Sequence, residues 1–203
     1  MDKSVLIAIP AFNEEKTISH VLEIAKKHGE VIVFNNNSTD DTKKKSILKK
    51  VRIVDVKQQG YESVIYAIAN YFKCSKYRKL IIIDGDGEVG LNSIKSMINA
   101  LNENDIVTGQ RDKIYRPSEK IICFLFETFF GIKDVFCGFK GFTHNGINNN
   151  FAEGTYSTSV FNKRAKKISI PVSVLQRTGE SRLGSGIELE IKLLIGGLRG
   201  FFL

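Results

Sequence analysis

The chain has 203 residues, of which 42% are hydrophobic and 26% are charged, a balance that is typical of a globular domain and excludes a disordered or low-complexity protein. Three cysteines are too few and too scattered for a disulfide framework or a paired-cysteine metal site. The excess of 30 basic over 22 acidic residues, a net charge of +8, favours an anionic partner such as a nucleic acid, a phosphorylated small molecule or an acidic lipid.

The start of the sequence carries no recognisable targeting signal. The apolar run at residues 5–9 is too short for the core of a signal peptide, and no cleavage site follows it. No stretch approaches the roughly 18 to 20 apolar residues that a membrane-spanning helix needs. We therefore expect a cytoplasmic protein, either soluble or peripherally attached to the cytosolic face of a membrane.

Strands and helices alternate in the first half of the sequence. Runs rich in Val and Ile predict five buried strands, and apolar residues at helical spacing predict helices between them. This alternation indicates βαβ units and a mostly parallel sheet with helices on both faces, in which ligands bind beyond the carboxyl ends of the strands. The predicted strands are 4–9, 30–34, 52–56, 80–83 and 105–108, and the predicted helical segments are 18–25, 64–72 and 94–101.

The second half of the sequence is less regular. Residues 118–131 predict a very apolar helix, and residues 143–150, rich in Gly and Asn, predict a loop. Residues 168–175 alternate like a strand, in which Pro171 favours an edge position. Residues 187–203 are amphipathic to apolar, and three glycines interrupt their pattern: Gly196, Gly197 and Gly200.

The strongest single motif is DGDGE at residues 84–88, directly after the fourth predicted strand. Asp84 and Asp86, separated by one residue on a strand-end loop, can both face one hard cation that keeps open positions for phosphate oxygens. Glu88 can add a third oxygen ligand. Taken alone, the motif is also compatible with a polar turn, since Asp and Gly are common turn residues.

Two further strand-end loops accompany this motif. The first strand ends in PAFNEE at residues 10–15, and the second ends in NNNSTDDT at residues 35–42. Together the three loops resemble the family 2 glycosyltransferases, in which a PxxNEE-like segment, a (D/N)(D/N)xSxDxT loop and a DxD follow in this order. The resemblance implies an α/β chain with the GT-A fold, a Rossmann-like sheet covered by helices on both faces.

The resemblance continues downstream to about residue 185. TGQR at 108–111 resembles the GxR segment of the family. DVFCGFKGF at 134–142 looks like a motif of the enzymes that glycosylate polyprenyl phosphates, and Pro171-Val172 with RTGESRL at 177–183 resembles another. That subgroup includes dolichol-phosphate mannosyltransferases and dolichyl-phosphate glucosyltransferases.

The resemblance implies an inverting, metal-dependent transfer of a hexose from a nucleotide sugar to a polyprenyl or dolichyl monophosphate. The implied metal is Mg²⁺ or Mn²⁺, with Asp84, Asp86 and Glu88 as ligands. The implied catalytic residues are Asp84, Asp86, Lys140 and Arg177, of which Lys140 and Arg177 hold the acceptor phosphate together with Arg182. The implied donor-binding residues are Pro10, Ala11, Asn13, Glu14, Asn36, Asp40, Asp84, Gly85, Asp86, Arg111 and Arg182.

The donor and the activity leave alternatives open. Asn35 and Asn36 stand where the family carries at least one Asp, which normally recognises the donor base. GDP-mannose is favoured and UDP-glucose is the close alternative. A catalytically inactive relative that binds a nucleotide sugar is a second alternative. A nucleic-acid-binding domain is the weakest, because no aromatic-basic RNA motif accompanies the lysine runs, and we expect no nucleic-acid partner.

We expect one glycosyltransferase domain, residues 1–186, followed by the amphipathic segment 187–203. Residues 118–131 and 187–203 can both lie in the plane of a bilayer interface, with the basic excess of the chain near anionic headgroups. The alternatives are that 118–131 packs on the sheet as core and that a partner membrane subunit covers 187–203.

Overall fold

The structure, a computed structural model, describes residues 2–112, 114, 116–148, 161–174 and 187–202. Within these residues seven strands form one mixed sheet. The strands are β1 (Asp2–Ala11), β2 (Gly29–Asn35), β3 (Arg52–Asp55), β4 (Lys79–Ile82), β5 (Ile106–Arg111), β6 (Lys140–Thr143) and β7 (Lys167–Val172). The helices are α1 (Ile18–Ala25), α2 (Thr42–Leu48), α3 (Tyr61–Lys73), α4 (Ile94–Ala100), α5 (Pro117–Phe130) and α6 (Ile187–Phe202).

The strand order across the sheet is β3-β2-β1-β4-β6-β5-β7. β1 pairs in parallel with β2 and β4, and β5 pairs in parallel with β7, so the prediction of a mostly parallel sheet is confirmed. Pro171 lies on β7 at the edge of the sheet, as predicted, where the missing backbone N–H is tolerated.

β6 is a strand that the sequence analysis did not predict. It has four residues, and it includes a Lys and a Gly, which are depleted in strands. It runs antiparallel between β4 and β5, and it places Lys140 opposite Ile82, the last residue of β4. Gly141 is required by a close approach, because a Cβ there would lie 2.7 Å from the sulfur of Met97 on α4.

Apolar side chains on both faces of the sheet divide the core into two layers. In β1, Leu6 and Ala8 face the layer that includes α3 and α5. Val5, Ile7 and Ile9 face the opposite layer, which includes α1 and α4. All five side chains are fully buried, as the two-residue period of a strand between two helix layers requires. The strand ends therefore rest on a rigid, doubly covered sheet.

α6 is one unbroken helix, although its three glycines interrupt the apolar pattern of the sequence. The glycines are buried, and a Cβ on Gly197 would lie 2.7 Å from Ile122 of α5, so they form the face that contacts α5. Phe201 adds an aromatic cluster with Phe126 and Phe130. Lys163 donates a hydrogen bond of 2.5 Å to the Phe201 carbonyl and so holds the end of α6.

Most of the other predicted elements are confirmed, with shifted ends. The apolar helix predicted at 118–131 is α5, which ends at Gly131 in the left-handed conformation (φ 70°). The loop predicted at 143–150 begins as the last residue of β6 and a single 3₁₀ turn, and residues 149 and 150 lie outside the described part. α2 is a further helix that was not predicted. Among the described helices, none is long and apolar enough to span a membrane.

Candidate functional site

Three loops meet at the carboxyl ends of β2, β1 and β4, which are neighbours in the sheet. The backbone N–H of Asn36 donates to the Ala11 carbonyl (2.9 Å), which joins the loop after β2 to the loop after β1. The N–H of Gly85 donates to the Pro10 carbonyl (3.2 Å), which joins the loop after β4 to the same place. The structure therefore brings together the three motifs that the sequence places far apart.

Asn13 fixes the loop after β1 against the loop after β2. Its backbone is in the left-handed region (φ 55°), which Asn tolerates better than most residues. Its side-chain oxygen accepts the Thr39 N–H (2.9 Å), and its own N–H donates to the Ser38 hydroxyl (3.2 Å). Asn13 thus holds the two loops in register.

The hydroxyl of Thr42 is a fully buried junction between the same two loops. It donates to Asp40 Oδ1 (2.5 Å) and accepts the N–H of Glu14 (2.7 Å). Asp40 also accepts the N–H groups of Thr42 and Glu15. Burial alone would raise the pKa of Asp40, but the hydrogen bonds from Thr42 and Glu15 lower it, so this carboxylate stays ionised.

Asn36 joins the loop after β2 to the start of α3. Its Nδ2 donates to the Gln58 carbonyl (2.9 Å), and its Oδ1 accepts the Gly60 N–H (2.8 Å). The Nδ2 of Asn35 donates a hydrogen bond to Asp55 Oδ1 (2.9 Å). A carboxylate at either position could not donate these hydrogen bonds. Asn35 and Asn36, which depart from the family pattern, therefore donate hydrogen bonds that Asp residues at these positions could not donate.

Asp84 carries the most strongly perturbed carboxylate of this loop. Burial, the nearby charge of Asp86 and the charge of Glu14 raise its pKa to about 7, while the charge of Lys140 acts in the opposite direction. The hydroxyl of Tyr61 lies 3.5 Å from Asp84 Oδ1. The charge of Asp86 thus disfavours the ionised form of Asp84, and a cation beside Asp84 would remove that penalty.

The chemistry of this loop fits a hard divalent cation. Carboxylate oxygens are the ligands that Mg²⁺ and Mn²⁺ prefer, and Asp84 and Asp86 supply two groups of that kind. Among the residues that the structure describes, no three His, Cys, Asp or Glu side chains are arranged to hold a metal ion. Within the described residues, the predicted set of Asp84, Asp86 and Glu88 is thus not assembled as a three-carboxylate site.

A loop before β6 borders Asp84 on its other side. A Cβ added to Gly138 would lie 1.8 Å from Asp84 Oδ2, so only a glycine leaves room for this carboxylate. Lys140 is almost fully buried, and its Nζ donates to the Cys137 carbonyl (2.5 Å). Burial lowers the pKa of Lys140. The sequence motif at 134–142 pointed to Lys140 as a site residue, but it gave no sign that Gly138 touches Asp84.

Arg111 has a different environment from the one expected of a donor ligand. Its Nε and one terminal nitrogen donate to Asp134 (2.7 and 2.9 Å), and the same terminal nitrogen donates to Glu119 (2.9 Å). Arg177 and Arg182, the other predicted arginines, lie outside the described residues. Tyr61, whose hydroxyl lies beside Asp84, was not predicted as a site residue because it has neither a charge nor a motif position that marks it. Thr42, the last residue of the NNNSTDDT motif, was not predicted as a site residue either.

The comparisons with known proteins agree with this geometry. Residues 6–127 match the model of the family described as glycosyl transferase family 2. The chain belongs to this family. An uncharacterised glycosyltransferase of Mycobacterium tuberculosis is 28% identical to it over 109 residues, which cover 53% of this chain and 49% of that protein. The chain thus spans about half the length of that relative.

Two further proteins resemble more of the chain. A dolichyl-phosphate beta-glucosyltransferase of Dictyostelium discoideum is 24% identical over 209 residues, covering 82% of this chain and 63% of that protein. The crystal structure of glucosyl-3-phosphoglycerate synthase from M. tuberculosis, in complex with Mn²⁺, uridine diphosphate and phosphoglyceric acid, superimposes with a TM-score of 0.75. It is 15% identical and covers 98% of this chain and 78% of that one. The predicted GT-A fold is confirmed.

The Thr42 junction leads to a stability prediction. Thr42→Val keeps the shape of the side chain but leaves the Glu14 N–H without its acceptor, so the free energy of unfolding should fall by about 1 to 3 kcal/mol. Urea unfolding measures this change. Thr42→Ser keeps the hydroxyl and should recover most of the loss, whereas a Val variant as stable as the wild type would contradict the junction.

Proposed function

We propose that this glycosyltransferase transfers a hexose from a nucleotide sugar to a polyprenyl monophosphate, with inversion at the anomeric carbon. The observation that carries the proposal is the position of Asp84 and Asp86, on the loop where the motifs after β1, β2 and β4 converge. The polyprenyl acceptor is supported by the DVFCGFKGF segment, and by a relative of that activity that matches 82% of the chain.

The donor pocket is formed by the two loops that Asn13 and Thr42 hold together. In this proposal the nucleoside contacts residues of these loops, which are Pro10, Ala11, Asn13, Glu14, Asn36 and Asp40, and Gly85 lies beside the diphosphate. These groups are fixed by hydrogen bonds before the donor arrives, so little ordering is required on binding.

Asp84 and Asp86 would hold Mg²⁺ or Mn²⁺ at the diphosphate. When bound, the ion neutralises charge on the nucleoside diphosphate as it leaves. In this proposal, oxygens of the donor diphosphate would complete the coordination of the ion. This assignment is supported by the Mn²⁺ and uridine diphosphate in the structural neighbour.

The acceptor needs positioning more than proton transfer. A phosphate monoester is already anionic at neutral pH, so its oxygen can attack the anomeric carbon without a general base. Lys140 is the cationic side chain beside Asp84, and Arg177 and Arg182 are proposed to hold the acceptor phosphate together with it. Charge-assisted hydrogen bonds from these groups would align the phosphate with the sugar.

Two donors compete for this site. GDP-mannose is the first candidate because the GESRL segment at 179–183 resembles the mannosyl enzymes. UDP-glucose is the second candidate. It is favoured by a glucosyltransferase relative that matches 82% of the chain, and by the structural neighbour, which binds uridine diphosphate. Release of GDP or UDP from the two donors, with the same lipid acceptor, distinguishes them.

An apolar surface on α5 and α6 would bring the enzyme to its lipid acceptor. We define the α5–α6 surface by its exposed side chains, which are Ile121, Phe124, Phe129, Ile187, Ile191, Ile195, Leu198 and Phe202. They include Phe124, which is 67% exposed, and Phe202, which is 81% exposed. Because the glycine face of α6 contacts α5, the apolar stripe of α6 faces outward beside that of α5. We propose that this surface lies in the interface of the cytosolic leaflet.

Replacing Asp86 tests the reaction. Asp86→Ala should lower transfer from either donor by about 100-fold or more in the presence of Mn²⁺ or Mg²⁺, since neutralisation of the leaving group is worth several kcal/mol. Glu103→Ala is the matched control and should transfer sugar at the wild-type rate. Glu103 is an exposed residue that precedes β5, at the edge of the sheet opposite to Asp84. Full activity of Asp86→Ala would refute the metal assignment. A wild-type enzyme that binds both donors but transfers neither would be the inactive relative.

Exchanging exposed side chains tests the lipid surface. The triple change Ile191→Ser, Ile195→Ser and Phe202→Ser should weaken binding to vesicles that contain anionic lipid by at least about tenfold, because apolar area is lost from the interface. Co-sedimentation measures the bound fraction. Ile47→Ser with Leu48→Ser removes two exposed aliphatic side chains from α2 and should have no such effect. Equal binding of the triple variant and the wild type would show that this surface does not contact lipid.

A further inference from the structure

A buried group of four charged side chains lies between β5, α5 and the loop before β6. Asp134 is fully buried, and Glu119 is nearly so. Arg111 binds both of them, and Arg116 donates to the second oxygen of Glu119 (3.0 Å). The two positive and two negative charges balance, so the group is neutral as a whole.

The contact between Arg111 and Asp134 has a fixed geometry. Two nitrogens of the guanidinium meet two oxygens of the carboxylate, and the backbone N–H of Arg111 also donates to Asp134 Oδ2 (3.2 Å). Burial disfavours the charge of Arg111, but the hydrogen bond and charge of Asp134 raise its pKa further above the ordinary value. Only an arginine can make this two-point contact.

The loop that begins at Asp134 reaches Asp84 within four residues. The N–H of Cys137 donates back to the Asp134 carbonyl (3.3 Å), which closes a turn. At the other end, the N–H of Gly109 donates to the Phe139 carbonyl (2.8 Å). Gly138, between these two points, is the residue whose Cβ would overlap Asp84 Oδ2. The loop is thus anchored on both sides of its contact with Asp84.

We propose that Arg111, Asp134 and Glu119 are positioning residues, which set the place of the Gly138 backbone and thereby the orientation of the Asp84 carboxylate. In this proposal, Arg111 does not bind the donor. The proposal rests on the proposed function, because it concerns the carboxylate that would hold the metal at the diphosphate. A misplacement of reacting groups by about 1 Å can cost about 100-fold in rate, so a loosened anchor should be visible in catalysis.

Arg111→Lys tests the anchor, since it keeps the positive charge and loses the two-point contact. We expect kcat to fall by about 10-fold to 100-fold, while KM for the nucleotide sugar at saturating Mn²⁺ changes by less than about threefold. Mn²⁺ binding in the presence of GDP or UDP, followed by electron paramagnetic resonance of the free ion, should weaken in parallel. Glu23→Gln, which removes an ion pair with Lys49 on the surface, is the control and should change none of these quantities.

Other results would overturn the proposal. A raised donor KM with unchanged kcat and Mn²⁺ affinity would make Arg111 a donor ligand. A lower urea midpoint with wild-type kcat and Mn²⁺ affinity would make the anchor merely structural.

Gly138→Ala gives a second test, which decides the question if Arg111→Lys does not fold. It leaves the charged group intact and displaces Asp84 directly, so it should weaken Mn²⁺ binding and lower kcat in the same way. Unchanged Mn²⁺ affinity in Gly138→Ala would contradict the proposed contact. Mn²⁺ affinity is measured without sugar transfer, so the two proposals can fail separately. If the wild-type enzyme transfers no sugar but both variants bind Mn²⁺ more weakly than the wild type, the proposed reaction is refuted and the positioning role is supported.

Discussion

The burial of the Asp84 carboxylate beside the charge of Asp86 is the constraint on which the rest of the site depends. Burial and, after it, the charge of Asp86 raise the pKa of Asp84 to about 7, while the charge of Lys140 acts in the opposite direction. A bound cation would remove this cost, and carboxylate oxygens are ligands that Mg²⁺ and Mn²⁺ prefer, which agrees with the proposed metal at a diphosphate. The surrounding loops are shaped to keep these carboxylates in place.

The loops around Asp84 and Asp86 are held in place mainly by hydrogen bonds that join one loop to another. Asn13, Asn36 and Thr42 each join two loops that are distant in sequence. The loops after β1 and β2 start from strands whose apolar side chains are buried in the core. On the other side of Asp84, the two-point contact of Arg111 with Asp134 anchors the loop before β6. A donor that binds at the proposed site would therefore find these loops already ordered, and little free energy of binding would be lost in ordering the chain.

The sequence predicted those parts of the structure that depend on local patterns. The Val- and Ile-rich runs located five strands, and the three loop motifs located the site, because strand-end loops of a parallel sheet gather at one edge. β6 was missed because four residues with a Lys and a Gly carry no strand pattern. The contact of Gly138 with Asp84 and the role of Gly197 in α6 were missed for another reason: both depend on residues far away in the sequence. The resemblance of TGQR to the GxR segment implied that Arg111 binds the donor, whereas its contacts with Asp134 and Glu119 are visible only in three dimensions.

We propose that Asp84 and Asp86 supply part of a metal site, which a nucleoside diphosphate completes. The most direct measurement is the affinity of the wild-type enzyme for Mn²⁺, by electron paramagnetic resonance, with and without GDP or UDP. We expect Mn²⁺ to bind at least about tenfold more tightly with one of the two diphosphates, because Asp84 and Asp86 alone leave most coordination positions of the ion unfilled. Mn²⁺ binding of equal strength with and without either diphosphate would contradict it.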